Sequence, residues 1–149
     1  MNIVITTDSS CDLPLEYIEK NSIPVIGLIC HIEGKDYVDD LGKTLTYEQF
    51  YSGIRRGAMP TTSQINVYRF EELFKKYVKE NKAIIHLSMS SKISGCFSSA
   101  NIAKQLVEEE FKDADITIID TKSACIGEGI IVYSAMEMIK NGALKEEIV

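Results

Sequence analysis

Three short runs rich in β-branched residues, at 3–7, 83–88 and 116–121, each pass through a small polar loop into a stretch with helical period. This order constrains the fold most, because parallel strands cannot be joined by tight turns and need crossover connections, usually helices. A fourth run, 23–32, fits the same strand role. In 66–80 the residues Val67, Phe70, Leu73, Phe74, Tyr77 and Val78 recur at i, i+3, i+4 spacing, as one buried helix face requires. The spacing returns in Phe97, Ala100, Ala103, Leu106, Val107 and Phe111, and again in Ile131, Ala135, Met138 and Ile139. Segment 46–56 opens with Thr46 and Gln49, a capping box, and its spacing predicts burial of Tyr47, Phe50, Tyr51 and Ile54. The pattern predicts an α/β fold, a parallel sheet flanked by helices on both faces.

Segment 33–40, with Gly34-Lys35 between extended flanks, predicts a small hairpin. Near the end, Gly142 closes one helix, and 143–149 reads as the first turns of another with nothing to pack against. Leu144, Ile148 and Val149 are therefore expected to be exposed, and the chain to be the front part of something longer.

The chain has 149 residues, enough to bury one core without disulfide or metal staples. Its net charge of −6, from 22 acidic and 16 basic side chains, argues against a nucleic-acid partner, which needs a basic face. The most apolar candidate for a membrane span, 23–32, is too short and is interrupted by Pro24, Gly27 and His31. The first residues enter a strand pattern with no basic leader, so a cytoplasmic, non-spanning protein is expected. Cys11, Cys30, Cys96 and Cys125 form no Cys-x-x-Cys pair, which predicts four reduced, mostly packed thiols and no zinc.

In an open α/β sheet, ligands bind beyond the carboxyl ends of the strands, and the small polar residues collect there. The loops are Thr7-Asp8-Ser9-Ser10, Ser90-Ser91-Lys92-Ile93-Ser94-Gly95, Asp120-Thr121-Lys122-Ser123 and, before the helix at 66, Pro60-Thr61-Thr62-Ser63-Gln64. Hydroxyls beside free backbone N–H groups suit a small anion such as a carboxylate or phosphate; the bland alternative is that they only cap helices and form turns. A nucleophile elbow needs glycine two places either side of the serine, but Ser94 has Lys92 and Cys96 there. No P-loop is present, and Gly127-Glu128-Gly129 is only a weak dinucleotide signal, since Val132 stands where the third glycine belongs. His31 and His86 fall inside strand-like runs and read as satisfied core or rim residues. Asp8, Asp12 and Asp120 could gather like metal ligands, although Asp12 before Pro14 is more simply a helix cap. Hydroxyl-rich loops without an activating base point to binding rather than turnover.

Four stretches in the same order carry a resemblance: Ile3-Val4-Ile5-Thr6-Thr7-Asp8-Ser9-Ser10-Cys11-Asp12-Leu13-Pro14; Pro60-Thr61-Thr62-Ser63-Gln64; Ser90-Ser91-Lys92-Ile93-Ser94-Gly95 with Ser98-Ser99-Ala100; and Ile119-Asp120-Thr121-Lys122-Ser123 with Gly127-Glu128-Gly129. Together they resemble the DegV family of bacterial fatty-acid-binding proteins. The resemblance implies that residues 1–149 correspond to the N-terminal α/β domain of a two-domain fold whose C-terminal domain this chain lacks. It implies a carrier and not an enzyme, with no cofactor, that holds a long-chain fatty acid and presents it to a separate fatty-acid kinase for acyl-phosphate formation in phospholipid metabolism. Carried over by motif, the hydroxyls of Thr62 and Ser94 would bind the carboxylate, with the backbone N–H groups of Ser63 and Gly95 completing the cradle. Two rival classes stand beside it: a serine- or threonine-dependent acyl hydrolase or transferase, and a non-catalytic interaction module whose polar loops are structural.

Overall fold

In the computed structural model, which describes residues 2–149, the chain runs β1 (Ile3–Asp8), a 3-10 turn (Ser9–Cys11), α1 (Leu15–Lys20), β2 (Val25–Ile26), β3 (Ile29–Ile32), β4 (Lys35–Val38), α2 (Tyr47–Arg55), β5 (Thr61–Ser63), α3 (Val67–Lys79), β6 (Ala83–Ser88), α4 (Cys96–Glu110), β7 (Ile116–Asp120), α5 (Ile126–Lys140) and α6 (Lys145–Ile148). The β-branched runs form the main sheet in the order β2-β1-β6-β7, every pairing parallel.

Strand alternation sorts the core into two layers. On one face Ile84 and Ile116 pack with Phe70 and Phe74 of α3 and Ala100, Ala103 and Val107 of α4. On the other, Ile5, Ile85 and Leu87 pack with Ile18 of α1 and Val132 and Ala135 of α5. Helices thus cover both faces, as the periodicity predicts.

The run at 23–32 does not make one strand. It breaks at Gly27-Leu28 into β2, the edge of the parallel sheet, and β3, the centre of a separate antiparallel sheet ordered β4-β3-β5. Gly27 sits where a Cβ would stand 2.1 Å from the carbonyl oxygen of Asp39, so the chain crosses itself closely there and changes sheets. The predicted hairpin at 33–40 is present as β3-β4, and the supposed loop at 61–63 is its third strand. A three-residue edge strand carries too little pattern to be read from sequence.

α2 starts at the predicted capping box, with the Thr46 hydroxyl accepting from the Gln49 amide and the Gln49 side chain from the Thr46 amide. Its apolar face is not buried as its spacing predicts: Tyr47 is 62% exposed and Tyr51 55%, and Ile54 is also exposed. This helix lies against the small sheet, with Ile32 packed at Gly53, and among the described residues none of its side chains joins either main-sheet core layer. Asp12 does not cap α1: it closes the 3-10 turn in a left-handed conformation (φ 52°), and Pro14 occupies the N-cap of α1. At the other end, Leu144 and Val149 are exposed as expected, but Ile148 packs on the α1–α5 core.

Candidate functional site

The four polar loops meet at the carboxyl edge of the main sheet. Asp8 ties two of them together, its carboxylate accepting from the amides of Ser10 and Met89, both at 3.0 Å. Asp120 accepts from the Ser91 hydroxyl at 2.6 Å and its amide at 3.1 Å, and the Ser90 amide donates to the Ser123 carbonyl at 2.8 Å. The fourth loop joins through Gln64, which lies so close to Gly95 that a Cβ there would stand 2.1 Å from its side-chain oxygen. Parallel pairing of β1, β6 and β7 puts their carboxyl ends on one side, which explains why the three loops that follow them converge.

Beside this edge a cleft of about 360 Å³ opens between the small sheet and α2. Its walls are largely apolar, with Leu28, Cys30, Tyr37, Tyr47, Phe50 and Tyr51 among them, and its polar groups include Ser10, Asp12 and Thr62. A volume of this size and a few polar groups on an apolar surface are the usual makings of a small-molecule site. The exposed aromatic face of α2 is thus the cleft's own wall.

The carried-over residues do not all share that wall. Thr62 lines the cleft with its cross-strand partner Cys30. Ser63, one place on, points to the opposite face of β5, as strand alternation demands. There its hydroxyl hydrogen-bonds His31 Nε2 at 2.6 Å, and His31 Nδ1 meets Asp36 at 2.6 Å. Ser94 lies outside the cleft lining, beside Cys96: its hydroxyl donates to Cys96 Sγ at 3.1 Å and accepts from the Cys96 amide at 3.2 Å. Among the described residues, no imidazole or carboxylate hydrogen-bonds it. Gly95 is the residue before α4, at the corner where the Gln64 side chain arrives.

Behind the cleft stands a residue that the sequence reading passed over. Glu128, in the first turn of α5, is fully buried; the Thr7 hydroxyl donates to its Oε1 at 2.8 Å, and Oε2 shares a 2.6 Å hydrogen bond with the Ser10 hydroxyl. Loss of hydration, with the Asp8 charge adding to it, pushes this carboxyl up to about 8. Its only sequence signal is the pair of flanking glycines. Gly129 lets α5 approach the turn, since a Cβ there would stand 2.3 Å from the Cys11 carbonyl oxygen.

Two of the thiols, Cys11 and Cys125, are held back from the thiolate form. Burial pushes the Cys11 thiol up to about 11, and Asp12 beside it raises Cys125, which is exposed rather than packed as expected. His86 is core, wedged edge-on against Phe70 and Phe74 with Nδ1 2.9 Å from the Thr6 hydroxyl, and burial drives it down to about 3. Its Nε2 has no hydrogen-bond partner among the described residues, so it is only half satisfied. Among the described residues, no three His, Cys, Asp or Glu side chains gather to hold a metal ion, and no helix is long and apolar enough to cross a membrane.

Residues 2–149 match the family described as "Uncharacterised protein, DegV family". The chain belongs to the DegV family. It is 44% identical over 145 residues to a DegV domain-containing protein of Clostridium perfringens, covering 97% of this chain and 50% of that relative. Among solved structures, DegV from Bacillus subtilis, described as a fatty acid binding protein, is similar with a TM-score of 0.86 and 31% identity, over 99% of this chain and 51% of that one. A stearic acid-binding protein from Eubacterium ventriosum is similar with a TM-score of 0.90 and 27% identity, over 98% and 50% of the two chains. This DegV chain thus spans about half the length of the relatives it matches.

Proposed function

We propose that this DegV chain binds a long-chain fatty acid by its carboxylate, as the N-terminal domain of a two-domain cytoplasmic carrier that presents the acid to a fatty-acid kinase. The hydroxyls of Thr62 and Ser94 and the amides of Ser63 and Gly95 form the carboxylate cradle in this reading, and the cleft takes the acyl chain. The observation that carries it is the position of Thr62. It is a hydroxyl on the wall of a largely apolar cleft, two residues from the side chain that reaches the Ser94-Gly95 corner. An anionic head group needs such bonds, because a buried carboxylate without partners costs several kcal/mol and a chain of net charge −6 gives no attractive field. Fatty-acid binding by solved proteins of similar fold, DegV of Bacillus subtilis among them, supports the same reading.

The test compares a fatty acid with its methyl ester by isothermal calorimetry and analyses an organic extract of the purified protein by mass spectrometry. The carrier reading expects a co-purified acid and at least tenfold weaker binding of the ester, which cannot use charge-assisted bonds. Equal binding of acid and ester refutes it.

One observation favours the hydrolase reading: Asp36, His31 and Ser63 stand in the order carboxylate, imidazole, hydroxyl. Ser63 presents its hydroxyl away from the cleft, which weighs against it. A fluorophosphonate probe that leaves Ser63 unlabelled excludes this reading, and labelling that disappears in His31→Ala establishes it.

A further inference from the structure

Glu128 has two hydrogen-bonding neighbours, and one of them, Ser10, also lines the cleft. We propose that Glu128 is a positioning residue that keeps its carboxyl proton, donates it to the Ser10 hydroxyl and thereby turns the Ser10 proton outward as a donor to the anionic head group of a ligand. This rests on the reading of the cleft as a carboxylate site.

Glu128 is fully buried with hydroxyls as its partners: the Thr7 hydroxyl donates to Oε1 at 2.8 Å, so Oε1 serves as the carbonyl oxygen, and Oε2, 2.6 Å from the Ser10 oxygen, is the atom that holds the proton. When Glu128 is ionised both oxygens can only accept. Ser10 must then give its proton inward and shows the cleft only lone pairs, backed by a buried negative charge. Both changes act against an anion.

The groups around Glu128 favour it over Asp8 as the acid that holds the proton. Burial raises the Asp8 carboxyl too, but Asp8 takes two backbone amides, at 3.0 Å each, which favour its ionised form. Glu128 receives hydroxyls alone, which can reverse direction. The other ionisable neighbours are Cys11, Asp12 and Cys125, none of them a cation; β6 meets α5 through Ile85 and Leu87, and α6 does so through Ile148. Desolvation with Asp8 nearby supports the neutral form up to about pH 8.

The test measures binding of decanoate, and of decane-1-sulfonate as a head group that never titrates, to this chain between pH 6 and pH 10. For both probes affinity is expected to fall above pH 8, approaching tenfold per unit. In Glu128→Gln, whose amide mimics the protonated acid, the slope should vanish; Ser10→Ala should weaken binding at pH 6 and also be flat. Carbon-13 NMR of glutamate-labelled protein gives a readout without ligand: one side-chain carboxyl titrating near pH 8, absent from Glu128→Gln. An alkaline loss that persists in Glu128→Gln, a Glu128 carboxyl titrating in the ordinary range, or no binding of either probe at any pH overturns the proposal. If Glu128→Gln does not fold, the carboxyl titrations of the wild type and of Ser10→Ala decide. If Thr62→Ala and Ser94→Ala bind like wild type while the Glu128 slope is present, the cradle fails and this inference stands.

Discussion

Gly129 lies against the carbonyl oxygen of Cys11 so closely that a Cβ would stand 2.3 Å from it. Because the obstacle is backbone, the helix or the turn must move to admit a side chain, and both carry the Thr7–Glu128–Ser10 bonds. Gly129→Ala is expected to destabilise the fold by about 1–3 kcal/mol in urea denaturation. At Gly95 the obstacle is the end of the flexible Gln64 side chain, so Gly95→Ala should cost less than about 1 kcal/mol.

Burial lowers His86 from 6.5 to about 3, so the unfolded chain takes up a proton there that the native state refuses. Stability from this group is present above pH 6.5 and is lost as pH falls toward 3, by about 1.4 kcal/mol per unit. His86→Gln should remove that slope. Urea midpoints of the two proteins between pH 6.5 and pH 4 should therefore converge as pH falls, and parallel curves would show that His86 titrates normally.

Glu128 acts with the opposite sign. Its carboxyl is raised from 4.5 to about 8, so its contribution is fully present below pH 4.5 and is lost as pH rises through 8. Wild type should lose stability relative to Glu128→Gln across that window, measured by denaturation at fixed temperature.

Thr62→Ala and Ser94→Ala should each weaken fatty-acid binding by about 1–3 kcal/mol, roughly 5- to 150-fold, the usual cost of removing a partner of a charged group. Calorimetry with decanoate checks this. A loss in Thr62→Ala alone would move the head group into the cleft, away from the Ser94 corner.

Tyr51 is 55% exposed yet lines the cleft, so Tyr51→Ala should cost less than about 1 kcal/mol in stability. Binding of an acyl chain should suffer more, losing severalfold affinity for decanoate through the apolar contact removed. Unchanged affinity would place the acyl chain elsewhere.

The sequence by itself determined the parallel sheet, because near-continuous apolar runs such as Ile84-Ile85 and Ile116–Ile119 alternate with helical stretches, and α3 and α4, because their apolar residues keep one helical face. It also located the polar loops, since the sheet's crossovers carry the strand ends to one edge. Only the tertiary structure decided that α2 leaves its aromatic face open, because amphipathic spacing records that a face is apolar and not what will cover it. The same holds for β5, where a single-residue alternation sends Thr62 into the cleft and Ser63 to His31. Glu128 shows the limit most plainly: a glutamate in a first helical turn reads as solvated. The hydroxyls that hold it come from Thr7 and Ser10, more than a hundred residues away, and burial, which sets its charge, belongs to no residue until the chain has folded.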